Sequence, residues 1–243
     1  MKRFLSIALC AAVAMLAVSC IDDIFDPTDP YGEKDNTPPI LDGNTLTYGD
    51  HNYTIKLNDK EGTITFTHFP SNVREFQILQ NQLLGKTKPG VLALELMAME
   101  MYRRNRTAGE VALELCNVSA NTKAVKRELQ QKFPAVRGGE DNDPNHQPYL
   151  VASFLKGSTM QNKYQPDYPY VLSIYENTSP LVTQGEYSLT YFGRTYNWCI
   201  KQYGERDTSA SIVLIDDEEL YLVNNCSDYY SVPFIDSWED TLQ

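Results

Sequence analysis

Apolar and polar residues alternate with a period of two in the region between residues 45 and 69. Residues 45–48, 53–57 and 63–69 are rich in β-branched and aromatic side chains, and polar, glycine-containing turns separate them. Such alternation is typical of strands that bury one face and expose the other. The pattern therefore predicts a small antiparallel β-meander.

Spacings of three and four residues replace this alternation after residue 70. Val73, Phe76, Leu79 and Leu83 fall on one face of a helix that Ser71 is suited to cap. Three further helices are predicted over residues 91–102, 107–116 and 121–133. The first of these is apolar nearly all round, as expected of a central buried helix, and a capping box opens the second.

Strand-like patterns return in the C-terminal half of the chain. Strands are predicted over residues 149–156, 170–175, 186–192, 196–203, 211–215 and 220–224. Because short turns join most of these runs and the helices are segregated from them, we expect antiparallel pairing and an α+β fold. The predicted architecture is about four helices packed on an antiparallel β-sheet, preceded by the small N-terminal meander.

The first 20 residues resemble a lipoprotein export signal. Lys2 and Arg3 precede an apolar stretch over residues 4–18, which at about 1.5 Å per residue is shorter than a bilayer core. The segment that ends at Cys20, Leu-Ala-Val-Ser-Cys, resembles a bacterial lipobox, which implies cleavage before Cys20 and its modification with diacylglycerol and palmitate. Acidic residues directly after Cys20 resemble the surface-export signal of Bacteroidetes lipoproteins. The resemblance implies an outer-membrane lipoprotein exposed at the cell surface, with the periplasmic face as the alternative.

These observations divide the chain into three parts. Residues 1–19 are the signal peptide, residues 20–43 form an acidic, proline-rich tether, and residues 44–243 form a single α+β domain. Removing the signal changes the formal net charge from −11 to −13, and the mature chain has no basic run. We therefore expect no nucleic-acid partner, and membrane contact only through the lipid. The sequence contains no recognisable cofactor motif.

The segment from residue 149 to 170 is the most distinctive part of the domain. It contains Lys-Gly-Ser-Thr at 156–159 and Asn-x-Tyr-x-Pro-x-x-Pro-Tyr from Asn162 to Tyr170. This signature resembles an uncharacterised family of bacterial proteins and lipoproteins, and the similarity covers about residues 70–235. The family has no assigned activity, so the resemblance implies a domain boundary and no catalytic residues. Asn162 is suited to hydrogen-bonding its own loop, which Pro166 and Pro169 stiffen.

Aromatic residues supply the main candidates for ligand binding. Tyrosine and tryptophan are suited to stacking on sugar rings or gripping a peptide when one face is open to solvent, whereas ladders of aromatics also occur as ordinary strand packing. The candidate ligand-binding residues are Tyr164, Tyr168, Tyr170, Tyr187, Tyr191, Tyr196 and Trp198.

Two short motifs suggest further sites. Asp141, Asp143 and Asn145 place oxygen ligands at alternate positions, as calcium loops do. His146 stands where such a loop needs glycine, and the bidentate glutamate is missing, so a solvated acidic loop is favoured and no metal is predicted. Thr241, between Asp240 and Leu242, resembles the O-glycosylation acceptor of Bacteroidetes.

The side chains that could carry catalysis form no complete set. Glu95 and Glu100 are five residues apart on one helix and therefore lie on different faces. Beyond Cys20, the cysteines are Cys116, Cys199 and Cys226, and we expect buried free thiols, although a pair between Cys199 and Cys226 stays open.

The sequence favours a non-catalytic binding or interaction module of the cell envelope, with a glycan or a peptide as ligand. One alternative is a periplasmic or surface hydrolase whose residues meet only in the folded chain. Another is a structural or assembly partner of outer-membrane proteins. The sequence leaves the ligand and the oligomeric state open.

Overall fold

The fold is seen in a computed structural model that describes residues 31–32, 38–133, 146–178, 189–190, 193–203, 206–215, 219–230, 232–235 and 237–243. The helices are α1 (Val73–Leu79), α2 (Lys88–Arg104), α3 (Arg106–Cys116) and α4 (Ser119–Lys132). The strands are β1 (Ile40–Asp42), β2 (Thr45–Tyr48), β3 (His51–Leu57), β4 (Glu61–Phe66), β5 (Tyr170–Glu176), β6 (Leu189–Thr190), β7 (Gly193–Ile200), β8 (Thr208–Ile215) and β9 (Leu220–Asn225). The predicted α+β class, with four helices and an antiparallel sheet, is confirmed.

One sheet connects the two ends of the domain. Its strand order is β1-β2-β3-β4-β5-β7-β8-β9, with β6 paired beside β7, and every pairing between these strands is antiparallel. Along the chain, the four helices lie between β4 and β5, and these two strands are neighbours in the sheet. The predicted meander is therefore continuous with the C-terminal strands. Strand β1 lies in the segment predicted as tether. Its three residues are exposed and are held by backbone pairing with β2, so burial of side chains does not mark this strand in the sequence.

A buried carboxylate ties the meander to the first helix. Glu75 of α1 is 1% exposed and accepts hydrogen bonds from Tyr53 Oη at 2.6 Å and from the amide of Ser71 at 2.8 Å. His51 Nδ1 lies 2.5 Å from Glu75 Oε1, and this contact raises the pKa of the His51 ring. The ring also stacks on His68 with centroids 4.4 Å apart. Polar contacts thus supplement the apolar core here.

Helix α2 is the central element, as its apolar sequence predicts. Every residue from Pro89 to Tyr102 is buried, including two glutamates. The neighbouring helix α3 approaches very closely, because a Cβ atom on Gly109 would lie 2.1 Å from Tyr102 Cα. Only glycine permits backbones to approach this closely.

Helix boundaries differ from the prediction by a few residues. Asn72 caps α1 through Glu75 N, where Ser71 was the expected cap, and Asn105 caps α3 through Ala108 N ahead of the predicted box. Asparagine side chains reach these amides as well as serine or threonine does, so local sequence does not separate the alternatives. After α1 the chain continues into a π-helical turn, Gln80–Leu84.

The strand predicted over residues 149–156 is wrong. Residues 148–151 form turns that lead into a 3₁₀ turn at Ala152–Phe154, with hydrogen bonds such as Leu155 N to Ala152 O at 3.0 Å. The side chains are buried, so the apolar run is real. Such a run is compatible with a buried turn as well as with a strand, because burial from all sides removes the periodicity that distinguishes them.

Candidate functional site

Among the predicted aromatic candidates that the structure describes, most are core residues. Tyr164, Tyr170 and Trp198 are 0%, 3% and 4% exposed, so none of them offers an open ring face. Tyr168 is 58% exposed and packs edge-on against Tyr170. Tyr196 is half-buried, and the Lys88 ammonium lies 4.1 Å from its ring centroid. These five described candidates therefore form no continuous stacking platform.

Several predicted positions lie outside the described residues. They are Cys20, Asp141, Asp143, Asn145, Tyr187 and Tyr191. Thr241 is described; it is exposed, and its hydroxyl hydrogen-bonds to Gln165 Oε1. Among the described residues, no group of three histidine, cysteine or acidic side chains is placed to hold a metal ion.

A polar groove of about 560 Å³ runs between α3 and α4. One wall is a single face of α4, whose side chains recur at spacings of three and four residues, and the other wall comes from the end of α3. The lining residues are Glu114, Asn117, Ser119, Thr122, Lys123, Lys126, Arg127 and Gln130. This groove was not predicted from the sequence, although cations and amides recur at regular spacing along α4.

The cations of the groove differ in their availability. The Lys126 ammonium lies 3.0 Å from Glu110 Oε2 and 3.2 Å from Glu114 Oε1, so its charge is largely compensated. The Arg127 side chain is 72% exposed and only approaches Glu128, at 3.4 Å. Lys123 is exposed and makes no ion pair with any residue that the structure describes. Lys123 and Arg127 are therefore the two lining cations whose charge is available to a bound molecule.

The groove floor is held by a hydrogen-bonded network in the core. Asn117 is 3% exposed; its amide nitrogen donates to Glu95 Oε2 and to Leu113 O, and its amide oxygen accepts from Asn121 Nδ2 at 2.5 Å. Asn121 Nδ2 in turn lies 3.5 Å from Cys226 Sγ. This side of the floor is therefore held in place by hydrogen bonds to residues of the core.

Glu95 is the centre of that network. Its carboxylate is fully buried on α2 and accepts from Cys116 Sγ at 3.2 Å and from Cys226 Sγ at 3.5 Å, as well as from Asn117. Burial raises the pKa of Glu95 to about 7, although the three hydrogen bonds act in the opposite direction. The sequence shows Glu95 only as one acid in an apolar helix, so its partners could not be found there.

The thiols of this network are poor nucleophiles. Burial and the nearby Glu95 charge hold the pKa values of Cys116 and Cys226 well above the ordinary range. Nucleophilic cysteines require the opposite shift, since the thiolate is the reactive form. All three described cysteines are buried free thiols, and Cys226 contacts the Glu95 network and is not bonded to Cys199.

The fold and the groove define a single-sheet α+β protein with a polar surface groove above a buried carboxylate network. A family model described as a domain of unknown function, DUF6935, matches residues 68–234, and the chain belongs to this family. The match agrees with the predicted extent of 70–235. No curated protein and no solved structure matches the chain. Within the described residues, none of the helices is long and apolar enough to cross a bilayer.

Proposed function

We propose that the protein is an envelope lipoprotein of Bacteroidetes type whose domain binds an anionic ligand, without catalysis, in the groove between α3 and α4. The observation that carries this proposal is the presence of available cations in a groove on a chain of net charge −11. The net negative charge of the chain disfavours anion binding over most of the surface, so the two available cations of this groove make it a selective site for an anion.

The chemistry of the lining favours an acidic saccharide as the ligand. Ser119 and Gln130 supply a hydroxyl and an amide group, which suit the hydroxyl groups of a sugar. Lys123 and Arg127 supply charge for a carboxylate, and the N-terminus of α4 beside Ser119 adds a positive dipole. A volume of about 560 Å³ lies within the range usual for small-ligand sites.

The described groups favour binding over hydrolysis. The groove contains one carboxylate, Glu114, which already neutralises Lys126. The hydroxyl of Ser71, which is near the His51–Glu75 pair, donates to the carboxylate at 3.0 Å and is thereby directed away from a role as nucleophile. A hydrolase needs an acid and a base or nucleophile in one pocket, and this groove offers cations and amides.

We expect tri-galacturonic acid to raise the melting temperature of the full chain and neutral maltotriose to leave it unchanged. A ligand at about 100 times its dissociation constant adds about 2.7 kcal/mol, or very roughly 5–11 °C for a domain of this size. The double variant K123A/R127A should lose most of the shift, and added salt should reduce it in the wild type.

The matched control is K56A/K60A, which removes two exposed lysines from the β3–β4 hairpin and should keep the full shift. If the acidic sugar still raises the melting temperature of K123A/R127A by the full amount, its binding site lies outside the groove. If neither sugar has any effect, the acidic-saccharide proposal fails.

Lipidation can be tested separately at Cys20. In a bacterial host supplied with an alkyne-bearing palmitate, the full chain should carry the label and sediment with membranes. The C20A variant should lose the label, because the thiol that accepts the lipid is then missing. A C10A variant is the matched control, since Cys10 lies inside the signal. Equal labelling of C20A and wild type would contradict the assignment.

A further inference from the structure

Residues 237–243 lie against the domain in the manner of a bound peptide. Trp238 packs on Tyr149 with centroids 6.4 Å apart, and the Arg103 guanidinium lies 5.2 Å from its ring. Arg103 also pairs with Asp240 at 2.8 Å, and Leu242 is 9% exposed. Two apolar anchors and one charge pair thus hold a segment whose other described side chains are exposed.

The domain recognises the backbone of this segment as well. Gln165 Nε2 donates to Glu239 O at 2.8 Å, and Tyr170 Oη lies 3.3 Å from Thr241 O and accepts from Gln243 N at 2.9 Å. The amide of Phe69 donates to Gln243 O at 2.8 Å. Backbone contacts with pockets for alternate side chains are the usual means by which proteins bind short peptides of varied sequence.

The loop that carries Lys163 and Gln165 contains strained backbone. Lys163 and Tyr164 have φ values of 56° and 54°, which non-glycine residues seldom adopt. Asn162 holds them there by bonding Thr159 N, Gly157 O and the backbone of Gln165, which confirms its predicted role. Lys163 then reaches Ser237 Oγ at 2.5 Å. Strained backbone that is over-determined by its surroundings is typical of ligand-binding sites.

The family match includes the residues that receive the C-terminal segment but does not include the segment itself. The residues that receive the segment lie within residues 68–234, and residues 237–243 lie beyond them. Charge is also complementary, since the receiving side carries Arg103 and Lys163 and the segment carries Glu239 and Asp240.

We propose that Arg103, Tyr149, Lys163, Gln165 and Tyr170 form a receptor surface for short acidic peptides that carry an aromatic anchor, and that residues 237–243 occupy it in cis. The covalently attached segment acts as a competitor at high effective concentration, so a free peptide binds weakly until the segment is displaced. This site shares no residue with the α3–α4 groove, and the failure of either proposal leaves the other unaffected.

The test uses a fluorescein-labelled peptide with the sequence of residues 237–243, Ser-Trp-Glu-Asp-Thr-Leu-Gln, and fluorescence anisotropy. The full-length double variant W238A/D240N should bind it at least tenfold more tightly than the wild type, because its own segment competes less well. A peptide in which the tryptophan is replaced by alanine should bind at least tenfold more weakly. Adding Q165A to the double variant should also weaken binding, whereas adding K56A should not.

A double variant that keeps the wild-type circular dichroism spectrum and binds the peptide no better than the wild type would overturn the proposal. If the double variant does not fold, D240N alone serves, because the Asp240 side chain is 46% exposed and Arg103 stays paired with Glu100. D240N is then expected to bind the peptide at least threefold more tightly than the wild type does. Equal affinity of D240N and the wild type would also overturn the proposal.

Discussion

Replacing Gly109 by alanine is expected to destabilise the domain by about 3 kcal/mol or more. The new Cβ atom would lie 2.1 Å from Tyr102 Cα and 2.2 Å from Tyr102 N, so helices α2 and α3 must separate. Backbone atoms cannot rotate away as a flexible side chain does, and overpacking of a rigid contact typically costs 1–3 kcal/mol or more. The gain of about 1 kcal/mol in helix propensity is too small to offset this. Chemical unfolding of wild type and variant measures the difference.

The matched control is alanine at Gly49, where φ is +60° and nothing lies within 4 Å of the new Cβ. That substitution carries only the cost of a left-handed backbone, about 1 kcal/mol. A Gly109→Ala variant as stable as the Gly49→Ala variant would show that α2 and α3 are not packed as described.

The second large effect is a change in pH dependence on replacing Glu95 by glutamine. The pKa of Glu95 rises from 4.5 to about 7 on folding. The native state therefore binds the proton more tightly, and the stability of the wild type falls as the pH rises from 4.5 through 7, then stays level. Above pH 7, burial of the charged form of Glu95 lowers the free energy of unfolding of the wild type by about 3 kcal/mol. In E95Q that loss is absent, because an amide does not titrate.

Guanidinium unfolding of both proteins at pH 4 and pH 8 tests this prediction. The free energy of unfolding of E95Q relative to the wild type should increase by about 3 kcal/mol between the two pH values. The comparison removes the contribution of His51, which both proteins share; its raised pKa also adds stability at low pH that is lost as the pH rises. E61Q, on an exposed hairpin, is the control. Parallel pH profiles for E95Q and the wild type would contradict a buried, titrating Glu95.

The contrast between the correct and the incorrect strand predictions has a simple cause. Residues 53–56 and 63–66 bury alternate side chains, and the sequence pattern records which face meets the core. Residues 149–155 are buried on every side, so their sequence is apolar without a period. Composition then indicates burial, and the hydrogen-bonding of the backbone is decided by neighbours elsewhere in the chain.

The aromatic candidates show the same limit. The strand spacing of Tyr196 and Trp198 places them on one face of β7, but it does not say whether that face is open. In the folded chain Trp198 is in the core and Tyr196 lies beneath Lys88. Lys88 is more than 100 residues away in sequence.

The sequence by itself determined the α+β class, the four helices, the meander and the self-bonded loop around Asn162, because each depends on contacts among residues close in the chain. Only the tertiary structure decided that the meander joins the main sheet, that Glu95 meets Cys116 and Cys226, and that residues 237–243 cover the Tyr170 region. Those contacts join residues 21 to more than 130 positions apart. Local periodicity carries no information about pairings at such separations, since they are selected by the packing of the whole domain.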